Sequence, residues 1–219
     1  MNMHHREVVL ILHGLGRSGL SMLPIRRALR KAGYATETWS YNTLRGGIQE
    51  QINHLKLKLP RLRGYTAVHA VGHSLGGLMI RGLLTPQTKL PLGRVVFIGT
   101  PHKGANVVNS NPRLFNQTTT PRIVRDLEAD SPAIAKLGLP EAEIGVIAGV
   151  SPFNPLNPVS WLSRSTHGEI PNDGTVELSS AQLAHMNDYL EVNANHSFMI
   201  WSPEVIKATV NFIHKGRFQ

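Results

Sequence analysis

The chain contains no cysteine. That absence excludes disulfide staples, zinc–thiolate sites, iron–sulfur clusters and a cysteine nucleophile. Acidic residues are few: 14 Asp and Glu stand against 23 Lys and Arg, a formal charge of +9. No apolar run approaches the ~18–20 residues of a membrane-spanning helix. The best run near the start, Val8 to Leu12, is too short for a signal-peptide core, follows Glu7 and leads straight into a glycine turn. A cytoplasmic protein is expected. The composition is not that of a disordered chain, with 41% hydrophobic and 17% charged residues. At 219 residues the length suits one domain with a sizeable core and is short for two, so a single domain over 1–219 is expected.

What is present alternates strand with helix. Short apolar runs at 8–12, 67–71, 94–98 and 144–148, with 34–39 and 189–194, read as strands. Helical spacing marks 20–32, 48–62 and 75–84, and Pro203 opens a last helix to about 214. On the first helix Leu23, Ala28, Leu29 and Ala32 are expected inward, and Gly33 is expected to stop it. Such alternation implies a mostly parallel central sheet of about six strands with helices on both faces. Two stretches, 104–143 and 151–171, hold irregular segments long enough to line a pocket or form a lid.

The chemical signal is Gly72-His73-Ser74-Leu75-Gly76, a G-x-S-x-G between a strand and a helix. A turn that sharp strains the serine, and residues two positions either side must be small to clear the strand and the helix. Ser74 is thereby exposed at a helix N-terminus, where developing negative charge is favoured. A serine hydroxyl is a poor nucleophile without a base, and the base needs an orienting acid. Of 11 histidines, His196 follows the last strand and precedes the last helix, where a base would be delivered beside Ser74. His13, His69 and His73 also lie near strand ends, but before or beside the nucleophile, where roles in the motif's backbone are expected. His4, His5, His54 and His214 read as surface residues, and His102, His167 and His185 as structural or exposed. The acid is expected at Asp173, in the turn sequence Asn172-Asp173-Gly174, with Asp188 and Glu177 in reserve. A tetrahedral intermediate needs two N–H donors. Leu75, after the nucleophile, offers one, and Leu15, in the turn after the first strand, the other. Phe153, Leu156, Trp161 and Leu162 are candidate walls of an acyl pocket.

Together His13-Gly14-Leu15-Gly16, the serine motif with Gly77, Gly99-Thr100-Pro101-His102-Lys103-Gly104, Asn172-Asp173-Gly174-Thr175-Val176 and Asn195-His196-Ser197 resemble the α/β-hydrolase family, within it the small bacterial lipases and esterases. The resemblance runs over nearly the whole chain. It implies an α/β-hydrolase fold with a minimal lid or none, and Ser74, Asp173 and His196 as a triad served by Leu15 and Leu75. The implied reaction is hydrolysis of a small-molecule carboxylic ester through an acyl-enzyme, with no cofactor and no metal. Thioesters, or transfer of the acyl group to another alcohol, would use the same triad.

Three rival readings compete. Gly14-Leu15-Gly16-Arg17-Ser18-Gly19 is a literal G-x-G-x-x-G, with Glu37 where a ribose-binding acid would sit, as in a dinucleotide-binding oxidoreductase. That reading leaves the serine turn and the late histidine unexplained. A hydrolase fold can also serve as a non-catalytic binding module, although all three triad candidates are present. Lastly, Arg26, Arg27, Arg30 and Lys31 form one basic cluster, and Lys56, Lys58, Arg61 and Arg63 another. Neither is interleaved with aromatics, so no nucleic acid is expected; the first reading is solvated helix faces, and the second a weak attraction to anionic membrane surfaces.

Overall fold

A computed structural model describes residues 6–109, 120–152 and 170–219. Six strands, β1 (Glu7–Leu12), β2 (Ala35–Trp39), β3 (Ala67–His73), β4 (Leu92–Ile98), β5 (Glu143–Gly149) and β6 (Asp188–Val192), form one sheet in the order β2-β1-β3-β4-β5-β6. Every neighbouring pair is parallel. The four long helices are α1 (Leu23–Lys31), α2 (Ile48–Lys56), α3 (Leu75–Leu83) and α4 (Pro203–Lys215).

The apolar runs explain this layering. Val8, Leu10 and Leu12 of β1 join a buried cluster with Ile48, Ile52 and Leu55 of α2 and Leu75, Leu78 and Met79 of α3. Val9 and Ile11 point the other way, into a cluster with Ile25 and Leu29 of α1 and Val205, Phe212 and Ile213 of α4. A strand covered on both faces has no side that can be polar, so its sequence is continuously apolar. Each fully buried Val, Leu or Ile contributes about 1.5–3 kcal/mol.

Helix boundaries differ from the periodicity in two places. The amphipathic pattern over 48–62 is broken: α2 ends at Lys56 and a separate 3-10 turn, Leu59–Leu62, follows. Pro60 has no N–H to give, and its ring would strike the carbonyl four residues back. Leu62 still reaches the core, while Leu57 is left 80% exposed. The stretch over 20–32 also opens with a 3-10 turn, Gly19–Met22, before α1 begins with Pro24 in its first turn. Its buried residues are Met22, Ile25 and Leu29, with Leu23, Ala28 and Ala32 only half-buried. Gly33 does terminate it, at a φ of 97°.

All nine residues of α3 are buried, Arg81 included. Its guanidinium donates to the carbonyls of Leu137 (2.8 Å), Gly138 (3.0 Å) and His102 (3.0 Å). Residues 120–143 thus cover α3, and Ile123, Leu127, Ile134 and Leu137 complete the cluster on that face.

Candidate active site

β3 ends at His73, α3 begins at Leu75, and Ser74 is the hinge between them with φ 53° and ψ −124°. A non-glycine residue held there stores about 1–3 kcal/mol, which the surrounding packing must offset. The Ser74 N–H donates to the Ile98 carbonyl at 2.9 Å, fixing the turn to β4. Close approach explains the glycines on either side. A β-carbon on Gly72 would lie 2.6 Å from the Gly77 backbone, and one on Gly76 would collide with the carbonyl oxygen of Leu12. The serine can turn so sharply only where strand and helix run nearly in contact.

β6 stops at Val192, and the chain curls through Ala194, whose N–H donates to the Val192 carbonyl. His196 is thereby brought above the carboxyl ends of the strands. Its Nε2 lies 2.9 Å from Ser74 Oγ. Its Nδ1 lies 2.7 Å from Asp173 Oδ2. An ionised carboxylate only accepts, so Nδ1 carries the proton and the Nε2 lone pair faces the hydroxyl. The Ser74 O–H donates to Nε2.

Asp173 is fixed by its own turn. Its Oδ1 accepts the N–H groups of Thr175 (3.0 Å) and Val176 (2.7 Å), while Asn172 Oδ1 accepts from Gly174 N–H (2.8 Å). The His196 N–H in turn donates to the Asp173 carbonyl at 2.8 Å. Asp173 is 2% exposed, Ser74 8% and His196 9%. The carboxylate is shielded from water, and the hydroxyl sits just at the surface. Charge–dipole interactions in such a site are stronger than in bulk water.

The turn after β1 lies against the elbow: a β-carbon on Gly14 would be 3.1 Å from Ser74 Cβ. Among the described residues the N–H groups of Leu15 and Leu75 donate to no protein acceptor. The turn is braced by contacts that the sequence did not reveal. Tyr41 stacks on the His13 ring, centroids 4.6 Å apart, and its hydroxyl donates to the His13 carbonyl at 2.5 Å. Gly16 N–H donates to Thr43 Oγ1 at 3.0 Å. The Arg17 guanidinium donates to the Ser197 carbonyl at 3.0 Å, tying the turn to the His196 loop. Residues 28 and 180 positions apart give no local signal of such pairings.

His73 also braces the site. It is 1% exposed, and its Nε2–H donates to the His196 carbonyl at 3.0 Å. Burial, reinforced by His196, Arg17 and His13, pushes its pKa well below 6.5. The ring beside His196 is therefore neutral. His102 was expected to be structural or exposed and is buried against Phe97. Burial, then Arg81, pushes its pKa well below 6.5. Burial likewise lowers that of His13.

The reserve acids are engaged elsewhere. Asp188 accepts the Tyr189 and Phe218 N–H groups, and Glu177 accepts from the Asn106 side chain. The Glu37 carboxylate accepts from Trp39 Nε1 at 2.8 Å and pairs with Arg61 at 3.7 Å, so it is not held ready for a ribose. His54, His185 and His214 are exposed. Phe153, Leu156, Trp161 and Leu162 lie outside the described residues, as do His4, His5 and His167. No group of three or more His, Asp or Glu among the described residues is placed to hold a metal ion. None of their helices is long and apolar enough to cross a membrane.

The chain belongs to the palmitoyl protein thioesterase family, whose profile matches residues 8–135, more than half of its length. That span contains β1, the elbow and β4; Asp173 and His196 lie beyond it. No curated protein sequence matches the chain. Among solved structures, the mature form of Bacillus licheniformis lipase BlEst2 superposes with a TM-score of 0.69 at 18% identity, covering 93% of this chain and 88% of the lipase. Its propeptide form gives 0.70 at 19% identity, with 88% of this chain covering 46% of that one. A carboxyl esterase from a metagenome gives 0.68 at 17% identity, with coverages of 88% and 65%. The chain thus spans less than half of the propeptide form and just under two thirds of the esterase. Identities this low establish the α/β-hydrolase fold alone. Fold and family together make the chain an α/β-hydrolase-fold member of the palmitoyl protein thioesterase family.

Proposed function

We propose that the chain, as a single domain over 1–219, hydrolyses acyl esters through a covalent intermediate on Ser74. The reading is supported by one continuous hydrogen-bonded relay, Asp173 to His196 at 2.7 Å and His196 to Ser74 at 2.9 Å, ending on a strained elbow. The substrate carbonyl oxygen docks between the N–H groups of Leu15 and Leu75. His196 Nε2 takes the Ser74 proton as Oγ bonds to the carbonyl carbon, and the oxyanion receives the two N–H donors. Asp173 holds the imidazole tautomer and balances the imidazolium. The tetrahedral intermediate collapses with cleavage of the bond to the leaving group, which takes the proton from His196. Water then repeats the cycle on the acyl-enzyme, returning Ser74 and releasing the acid.

Carboxylic esters are the first substrate class; the family match favours thioesters as the second. The two differ in leaving group, not in machinery, because an alkoxide needs the His196 proton more than a thiolate does. A fluorophosphonate should label Ser74 in the wild type and fail to label Ser74→Ala. A folded wild type that stays unlabelled would return the chain to the class of binding modules. Matched p-nitrophenyl esters and acyl thioesters of increasing chain length then rank the two classes.

A further inference from the structure

Six large apolar side chains stand exposed among the described residues, and three of them, Leu20 (71%), Phe198 (44%) and Trp201 (57%), fall on two neighbouring turns. One turn, Gly19–Met22, continues from the loop carrying Leu15; the other, Met199–Trp201, continues from the loop carrying His196. They are stitched together twice. Trp201 Nε1 donates to the Ser21 carbonyl at 3.3 Å, and Arg17 donates to the Ser197 carbonyl at 3.0 Å. The indole therefore satisfies its one polar atom on the protein and presents its apolar body outward. Leaving three such groups in water is unfavourable by burial alone.

Charge around these turns is mostly positive. Residues 17–31 carry Arg17, Arg26, Arg27, Arg30 and Lys31 and no Asp or Glu. α1 begins at Leu23, so Arg26 and Arg27 follow the exposed Leu20 by about two helical turns. Lys207 is exposed on α4, which packs beside α1; Glu204 in its first turn is the one opposing charge on that helix. An apolar tip flanked by arginines matches a surface that is anionic outside and apolar beneath. An indole prefers the boundary of such a surface, where one face is apolar and the other wet.

We propose that this face, Leu20 and Trp201 flanked by Arg26, Arg27 and Lys207, docks the protein on an anionic phospholipid bilayer. Seated there, the site opens toward the acyl chains at the bilayer boundary. The purpose of docking rests on the hydrolase reading; the docking itself does not.

The test is co-sedimentation of the full chain with vesicles of phosphatidylcholine, with and without about a third phosphatidylglycerol. Hydrolysis of a soluble short-chain ester is measured alongside. The wild type should prefer the anionic vesicles and lose them as salt rises. Leu20→Ser with Trp201→Ser, and separately Arg26→Glu with Arg27→Glu, should each weaken binding about tenfold or more. Soluble-ester turnover should stay unchanged in Leu20→Ser and in the arginine pair. Leu20→Ser alone gives the same direction should the double variant misfold. Three results would overturn the proposal: no preference for anionic vesicles, variants that bind as the wild type does, or a wild-type dimer that the Leu20 and Trp201 changes convert to monomer. Vesicle binding without ester hydrolysis keeps the docking and removes the hydrolase reading. Hydrolysis without binding does the reverse.

Discussion

Replacing Asp173 with asparagine should leave the fold and remove most of the chemistry. Asparagine is the same size, and its amide oxygen can occupy the place of Oδ1, accepting from Thr175 and Val176 N–H. Its NH2 then faces His196 Nδ1 across the 2.7 Å now spanned by the carboxylate contact. Two donors cannot face each other, so the imidazole moves its proton to Nε2. That N–H points at Ser74 Oγ, 2.9 Å away, and cannot take the hydroxyl proton. The loss in kcat should be about 10³–10⁴, or about 4–5.5 kcal/mol of transition-state stabilisation. Stability should change by less than about 1 kcal/mol, because each hydrogen bond keeps a partner. Asp173→Ala, by contrast, leaves the N–H groups of Thr175 and Val176 and the His196 Nδ1–H without an acceptor and should cost about 1–3 kcal/mol for each buried group stranded. The assay is kcat on a soluble ester, with urea midpoints measured on the same preparations. A folded Asp173→Asn variant turning over within tenfold of wild type would refute the reasoning. Asp188 and Glu177 could not rescue it, since both carboxylates are committed elsewhere.

Ser74→Gly should abolish turnover and raise stability by about 1–2 kcal/mol, since glycine accepts a φ of 53° without strain; an unchanged urea midpoint would show that the elbow stores nothing. Gly76→Ala drives a β-carbon into the Leu12 carbonyl and should cost about 3 kcal/mol or more, read as loss of soluble protein or of thermal midpoint. Tyr41→Phe removes the hydrogen bond to the His13 carbonyl and should cost about 1 kcal/mol, with kcat falling more than KM rises because the turn carrying Leu15 loosens. Acid should destabilise the fold through His73 and His102. Burial holds both pKa values well below 6.5 in the folded chain, and unfolding restores them. The unfolded chain therefore binds more protons below about pH 6.5, and stability present above that pH falls as pH drops, by up to ~1.4 kcal/mol per unit for each histidine. Urea midpoints followed down to about pH 5 should fall less steeply in His102→Phe, whose ring would fill the same space against Phe97 without titrating.

Local chemistry made much of this molecule legible from its sequence. The strands could be recognised because a parallel strand covered on both faces tolerates no polar side chain, as at Val8 to Leu12. The elbow could be recognised because steric exclusion acts within five residues: only small groups fit where β3 and α3 nearly touch. Asp173 could be singled out because an Asn-Asp-Gly turn folds a short carboxylate onto its own backbone. Pro60 was a local signal outweighed by periodicity; the missing N–H decided the end of α2.

Tertiary structure alone decided the pairings across long separations. Nothing near His73 in the chain indicates that its N–H holds the carbonyl of His196, and nothing near Arg17 points to Ser197. Likewise, Leu20 and Trp201 read as scattered apolar residues until the fold sets their turns side by side. A sequence records what each residue requires of its immediate neighbours, through sterics and turn chemistry. Which distant groups meet is fixed by the order of the strands, and no single segment carries that information.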